Sequence, residues 1–353
     1  MGDASPPGVA PRLSICIATF NRGRFIAETL ESIVGQLGPD VELLVVDGAS
    51  PDDTASVIEP YLRLDKQVRY LRESVNSGVD ADYDKAVSYA CGDYCWLMTD
   101  DDLLVPGAVA QVLSALEDGP DLVVVNSQVL TADFSSVLNH RMLMMGKDRE
   151  YDGGSEAFFA DAANYLSFIG AVVVRRKVWL DRNRTDYYGS LFIHVGVLFQ
   201  TPLPGRAKII AEPLIKIRYG NAMWTPRGFE IWMFKWPTMI WEFGSYSDAA
   251  KAKVSAREPW KNLLQLVYRR AVGSYSIDEF HKFIAGRHPF GATAQAWLVA
   301  KAPGSIANFV SGLYCILTNQ VGPGAAYNLA RSPHSTFVSR IAAKTRKTCD
   351  HES

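Results

Sequence analysis

Residues 13–18, 41–46, 94–98 and 122–125 form short runs that are apolar almost without interruption, rather than alternating apolar with polar. A strand without alternation is covered on both faces, as in a parallel sheet sandwiched between helices. The intervening stretches carry helical spacing. Phe25, Ile26, Leu30, Ile33 and Val34 fall on one face after the first run, and "SPDDT" signals the start of a second helix through Leu62. "QVRYLR" is a shorter third strand, "NSGVDADYDKAVSYACGD" a loop and helix, and Pro106 stands near the first turn of a helix after the fourth strand. The expected fold class is therefore α/β, a doubly wound, mostly parallel sheet.

Ligands of such sheets bind beyond the carboxyl ends of the strands. The polar groups at those ends are Thr19, Asn21 and Arg22, then Asp47, then Asp100 to Asp102, and they are expected to share one crevice. The stretch "DYCWLMTDDDLLVPG" sets three adjacent carboxylates at the end of a buried strand. One Asp suffices to cap the following helix, and Asp102 is placed to do so. Three repel one another unless a cation neutralises them. Hard divalent ions such as Mg²⁺ or Mn²⁺ take oxygen ligands and leave positions open for phosphates, so a metal–diphosphate site is expected. No GxGxxG follows the first strand and no GxxxxGK[ST] occurs, which argues against a dinucleotide fold and a P-loop.

After about residue 130 the alternation changes. "FIGAVVVRRKVWL" reads as a strand entering a helix, "YYGSLFIHVGVLFQ" as a buried helix with one histidine, and "AKIIAEPLIKIRYG" as two short strands hinged near Pro213. From Met223 on, the chain reads as helical and aromatic. Charge divides along the chain: residues 1–150 hold 11 Lys and Arg against 24 Asp and Glu, and residues 251–353 hold 14 against 5. The basic end suits a solvated surface, a membrane or a polymer; its residues form no dense stripe, so no nucleic-acid partner is expected. Five cysteines in unrelated contexts fit a reducing compartment. "MGDASPPGVAP" lacks the features of a signal peptide, and no apolar run reaches the ~20 residues of a spanning helix. The nearest, "SIANFVSGLYCIL", suits a core helix or a membrane interface. The expected location is cytoplasmic, peripheral on the inner face of the cytoplasmic membrane.

"SICIATFNR", "ELLVVDGASPDDT", "NSG", "GDYCWLMTDDDLLVPGAV" and "VVVRRKVW", in this order, resemble the donor-binding half of glycosyltransferase family 2, with the GT-A fold, over roughly residues 12–200. "YGSLFIHVGVLFQ" and "IRYGNAMWTPR" are similar to bacterial O-antigen or abequosyltransferase-like members. The resemblance implies an inverting transfer of a sugar from a nucleotide-diphosphate-sugar to an acceptor hydroxyl, with a lipid-linked or polysaccharide acceptor. It implies a disordered stretch over 1–11, a catalytic domain over 12–221 (donor half 12–130, acceptor half 131–221) and a helical C-terminal region over 222–353.

By that resemblance Thr19, Asn21 and Arg22 line the nucleoside pocket with Gly48 and Asn76, Asp47 receives the base, Asp100 faces the ribose, and Asp101, assisted by Asp102, binds Mn²⁺ or Mg²⁺. Where many relatives have Arg-Asn before the acidic motif this chain has Tyr83-Asp84, and Lys85 is the substitute for neutralising the diphosphate. The family's acidic base is missing too. His194 aligns with it, and an imidazole can take a proton near neutrality; Asp186 is the fallback. Trp224, Arg227 and Trp232 are the candidate acceptor wall, and the C-terminal region is open to membrane contact, acceptor binding or a homodimer. Two rivals stand beside this reading. A nucleotidyltransferase wants a Gly-rich basic loop that "ATFNRGRF" supplies poorly. A non-catalytic nucleotide-sugar-binding module fits the missing acidic base.

Overall fold

A computed structural model describes residues 10–221, 225–287, 290–318 and 321–349. Of the stretch expected to be disordered, residues 1–9 lie outside the described residues, as does Trp224.

Among the described residues ten strands form one sheet: β1 (Leu13–Thr19), β2 (Val41–Asp47), β3 (Val68–Arg72), β4 (Tyr94–Met98), β5 (Leu103–Leu104), β6 (Leu122–Thr131), β7 (Val137–Asn139), β8 (Arg149–Asp152), β9 (Val172–Arg175) and β10 (Arg206–Tyr219). Their order is β3-β2-β1-β4-β9-β6-β10-β5, with β7 on β6 and β8 on β10. Every residue of β1, β2 and β4 is buried, as their unbroken apolar runs require. The first four helices are α1 (Gly23–Val34), α2 (Thr54–Leu64), α3 (Val79–Tyr89) and α4 (Ala108–Ala115). Ile26, Leu30 and Ile33 of α1, Ile58 of α2 and Val109 and Val112 of α4 close a core over Ile15, Ile17, Leu43, Val45 and Trp96. Each such side chain contributes roughly 1.5–3 kcal/mol by leaving water.

The parallel register sets the site. Thr19 lies opposite Asp47, and Ile17 opposite Met98. Continuing that register by two residues brings Asp100 level with Thr19, so the ends of β1, β2 and β4 finish together.

One detail lies beyond the sequence reading and one differs from it. The fifth strand of the alternating series, β6, does not neighbour β4. The strand β9 lies between them, antiparallel to both, so β6 keeps the direction of β1 to β4. Apolar runs reveal burial but not the order of neighbours. Residues 206–219 are one strand, not two: β10 pairs with β8 through Arg206–Ile209 and with β5 at Ile215 and Lys216. Pro213 falls between those paired segments, where its missing N–H costs neither ladder a bond.

The chain divides into two compact units, Met1–Gln128 with Arg141–Ile217 and Phe243–Ala250, and Val129–His140 with Arg218–Glu242 and Lys251–Ser353. The first also holds α5 (Glu156–Ala162), α6 (Arg176–Leu180) and α7 (Ile193–Phe199). There Tyr246 stacks on Phe159 at 4.0 Å and the Ser247 N–H donates to Glu156 at 2.6 Å.

The helix α10 (Asp248–Val254) carries the chain from one unit to the other. In the second unit are α8 (Gly228–Glu230), α9 (Trp236–Glu242), α11 (Leu263–Ala271), α12 (Ile277–Phe283), α13 (Phe290–Lys301), α14 (Gly304–Leu317), α15 (Pro323–Arg331) and α16 (Phe337–Cys349). One of its cores is aromatic, around Phe229, Trp260, Tyr275 and Phe280; the other is small, built from Ala271, Ala307, Cys315, Ala326, Leu329 and Ala342. Small residues let helices approach: a Cβ on Gly312 of α14 would come within 2.9 Å of the Ser339 nitrogen of α16. Among the described residues no helix is long and apolar enough to cross a membrane.

Candidate active site

The turn after β1 brings a cation to the acidic triplet. Asn21 adopts the left-handed conformation (φ 59°) and its N–H donates to Ser50 Oγ at 2.8 Å. The next N–H, of Arg22, donates to Thr54 Oγ1 at 3.0 Å. So held, the Arg22 guanidinium donates through Nε to Asp100 Oδ1 at 3.1 Å and through Nη2 to Asp101 Oδ2. Burial works against the charge of Arg22, but Asp100 and Asp101 hold its pKa above the ordinary value. Burial pushes the Asp100 carboxyl up to about 6, against the pull of Arg22 and with the repulsion of Asp101. The cation that the triplet demands is thus partly supplied by the chain itself.

Asp102 does not cap the next helix. That helix starts at Ala108 behind Gly107 (φ 82°), and β5 intervenes. Asp102 Oδ2 instead accepts from Thr99 Oγ1 at 2.5 Å. Capping needs an Asp directly before the first turn, and the sequence pattern concealed the two-residue strand. Beside the triplet, the buried Tyr83 hydroxyl donates to the Met98 carbonyl at 2.9 Å.

Of the residues expected on the nucleotide side, Asp47 and Gly48 lie at the end of β2, Asn76 after β3 and Lys85 on α3. Asp47 is fully buried; Oδ1 accepts from the Ser50 N–H at 2.8 Å and Oδ2 from the Tyr70 hydroxyl at 2.5 Å. Gly48 is closely approached: a Cβ there would lie 2.6 Å from Asp82 Oδ2, and the carboxylate would have to shift. Asn76 Oδ1 accepts from the Gly78 N–H at 2.8 Å. Lys85 meets Glu73 at 2.8 Å and Asp82 at 3.7 Å. Its charge is therefore already engaged by two carboxylates, which weakens it as a free counter-charge for a diphosphate.

Sequence reasoning missed the second use of α3. Asp80 and Asp84 stand one turn apart on one face. Asp80 accepts the N–H groups of Leu191 (2.8 Å) and Ile193 (3.1 Å). Asp84 accepts from Trp179 Nε1 (2.9 Å) and the Tyr188 hydroxyl (2.6 Å) and pairs with Arg184 (2.8 Å). Together they staple the segment before α7 onto α3. The signal was present as the i, i+4 spacing of Asp80 and Asp84 in a helix whose other residues include Ala81, Tyr83, Ala86 and Val87, all buried.

Asp186 lies on that segment and His194 in α7 just beyond it. His194 is 1% exposed, and its Nε2 lies 2.7 Å from the Leu166 carbonyl, to which it donates in the neutral ring. Burial lowers its pKa to about 4. One nitrogen is committed to backbone and the other, Nδ1, is buried without a hydrogen-bond partner, which weighs against His194 as the base. Asp186 is exposed on a turn, with Asn183 as a hydrogen-bond partner.

Because the unfolded histidine titrates near 6.5, the unfolded chain takes up a proton between pH 6.5 and 4 that the folded chain refuses. Stability is full above that window and falls as pH drops through it, by at most about 3 kcal/mol. His194→Gln, which keeps a hydrogen-bond donor toward Leu166, is expected to flatten this slope in urea melts at pH 4.5 and 7. An unchanged slope would refute the buried neutral ring.

For a metal, the donors are hard carboxylate oxygens at a strand end, the right chemistry for Mg²⁺ or Mn²⁺. Among the described residues no group of three or more His, Cys, Asp or Glu could hold an ion alone. The set fits an ion shared with ligand phosphates and not a protein-only cage. Of the acceptor-wall candidates, Arg227 pairs with Glu230 at 3.1 Å and Trp232 packs against the aromatic core, both in the second unit.

A doubly wound sheet with an acidic strand-end motif beside a buried Asp on β2 is the arrangement of the GT-A fold. Residues 14–183 match the model of glycosyl transferase family 2. The abequosyltransferase RfbV of Salmonella typhimurium is 26% identical over 272 residues, 71% of this chain and 79% of that protein. A GalNAc(5)-diNAcBac-PP-undecaprenol beta-1,3-glucosyltransferase of Campylobacter jejuni is 30% identical over 110 residues, 31% of this chain and 36% of that one. Among solved structures, S. aureus TarS 1–349 in complex with UDP shares the fold at a TM-score of 0.52 and 15% identity, over 96% of this chain and 92% of that chain.

Proposed function

We propose that this protein transfers a sugar, with inversion, from a nucleotide-diphosphate-sugar to a hydroxyl of a lipid-linked or polysaccharide acceptor in bacterial surface glycan synthesis. The observation that carries the reading is the Arg22 guanidinium bound to Asp100 and Asp101, level with Thr19 and Asp47. The similarity to an abequosyltransferase and to an enzyme named for an undecaprenol-linked substrate supports the acceptor class. The likeness to TarS, solved with UDP and with UDP-GlcNAc, supports the nucleotide-sugar.

In this reading Asp47, Gly48 and Asn76 receive the base, and Thr19, Asn21 and Asp100 receive the ribose side. Arg22 restrains the two carboxylates before the nucleotide-sugar arrives and offers positive charge to its phosphates; Lys85 is a secondary source. Asp101, with Asp102 beside it, would hold Mn²⁺ or Mg²⁺, which when bound neutralises charge on the departing diphosphate. The acceptor proton goes to a group on the segment stapled to α3. Asp186 is the exposed carboxylate there, which supports it over the buried His194. Asp186→Asn should then lower transfer at least about 100-fold while His194→Gln retains it; the reverse pattern would return the role to His194. Arg227, Trp224 and Trp232 remain the proposed acceptor contacts.

The test is a panel of nucleotide-sugars with Mn²⁺ or Mg²⁺, scored by thermal shift and slow hydrolysis, with Asp101→Ala as control. Release of nucleoside diphosphate supports the reading. Release of pyrophosphate would point to a nucleotidyltransferase, and binding without turnover to a non-catalytic module.

A further inference from the structure

The helix α14 contains no charged residue, yet one side of it is open. Ile306 (57% exposed), Phe309 (47%), Val310 (50%), Leu313 (41%), Ile316 (41%) and Leu317 (73%) recur at helical spacing, while Ala307, Asn308, Ser311, Gly312 and Cys315 face inward. A face of six large apolar side chains is not a solvated helix surface. It needs a cover, and the surrounding charge says of what kind. From residue 280 to residue 349 the chain carries eight Lys or Arg and no Asp or Glu. The neighbouring α16, whose Ser339 backbone packs on Gly312, exposes Phe337 and, one and two turns on, Arg340 and Lys344.

We infer that the exposed face of α14 lies in the interface of an anionic bilayer, with the basic residues of this region among the headgroups. Fourteen residues of helix span about 21 Å, too short to cross a hydrocarbon core of roughly 30 Å, so the helix lies flat. An apolar face with basic flanks is the pattern of such interfacial helices. A second copy is the poorer occupant, because a two-fold contact would set this uniformly positive segment against itself. The inference rests on the proposed lipid-linked acceptor for its purpose: the surface would bring the enzyme to a membrane-held substrate.

The full chain is sedimented with vesicles of phosphatidylcholine alone and with about 30% phosphatidylglycerol. Binding is expected to the anionic vesicles only and to weaken at high salt. Phe309→Glu with Leu313→Glu should lower partitioning about 100-fold, roughly tenfold for each apolar side chain lost from the interface. Leu317→Glu, at the exposed helix end, should give a smaller loss. Melting temperature and the thermal shift with nucleotide-sugar should be unchanged in all of them. Failure to bind anionic vesicles, undiminished binding by the double variant, or a dimer that the double variant dissociates would each overturn the inference. Loss of the nucleotide-sugar response in the unaltered chain would count instead against the proposed function.

Discussion

Asp101→Ala is expected to slow sugar transfer about 1,000-fold, or roughly 4 kcal/mol of transition-state stabilisation, while the protein stays folded. Its Oδ2 meets one arm of Arg22, but Asp100 holds the other arm at 3.1 Å, so the cation remains partnered after the substitution. What is lost is the oxygen proposed to share an ion with the diphosphate. Assayed as nucleoside diphosphate released at saturating Mn²⁺, Asp101→Ala should be worst, with Asp100→Ala and Asp102→Ala milder. Asp102 spends one oxygen on Thr99, and Asp100 faces the ribose in the proposed arrangement. Equal losses at all three positions would show that the roles are divided wrongly.

Asp84→Ala should instead damage the fold. It removes the acceptor of Trp179 Nε1 and of the Tyr188 hydroxyl and leaves Arg184 without its carboxylate, all at a residue 6% exposed. Stranding the buried Trp179 Nε1 and breaking a partly buried ion pair costs about 2–4 kcal/mol. The melting temperature should fall roughly 10 °C, and Asp84→Asn should recover part of that because its carbonyl oxygen still accepts. A fall of less than about 2 °C would mean that the staple contributes little.

The parallel half of the sheet and the grouping of Thr19, Arg22, Asp47 and Asp100 were legible because unbroken apolar runs followed by helices leave few topologies open. Three things were not. The insertion of β9 between β4 and β6 depends on which edges pair, and hydrophobic pattern is silent on that. The fate of Asp102 turned on a two-residue strand, too short to carry a period. The pattern showed His194 on a buried helix, but not what its ring meets, which depends on a distant segment, here the carbonyl of Leu166. The departure at Tyr83-Asp84 looked like a gap in phosphate binding. The structure gives both residues other work, Tyr83 under the strand end and Asp84 on the stapled segment.

The guanidinium of Arg22 has a consequence for how such a protein is made. A carboxylate cluster without a resident counter-charge would strain the nascent chain until an ion was captured, tying folding to metal supply. Here the counter-charge is encoded three residues after β1 ends, and it arrives with the polypeptide. If the proposed ion is needed for transfer, its scarcity would stop turnover without unfolding the protein.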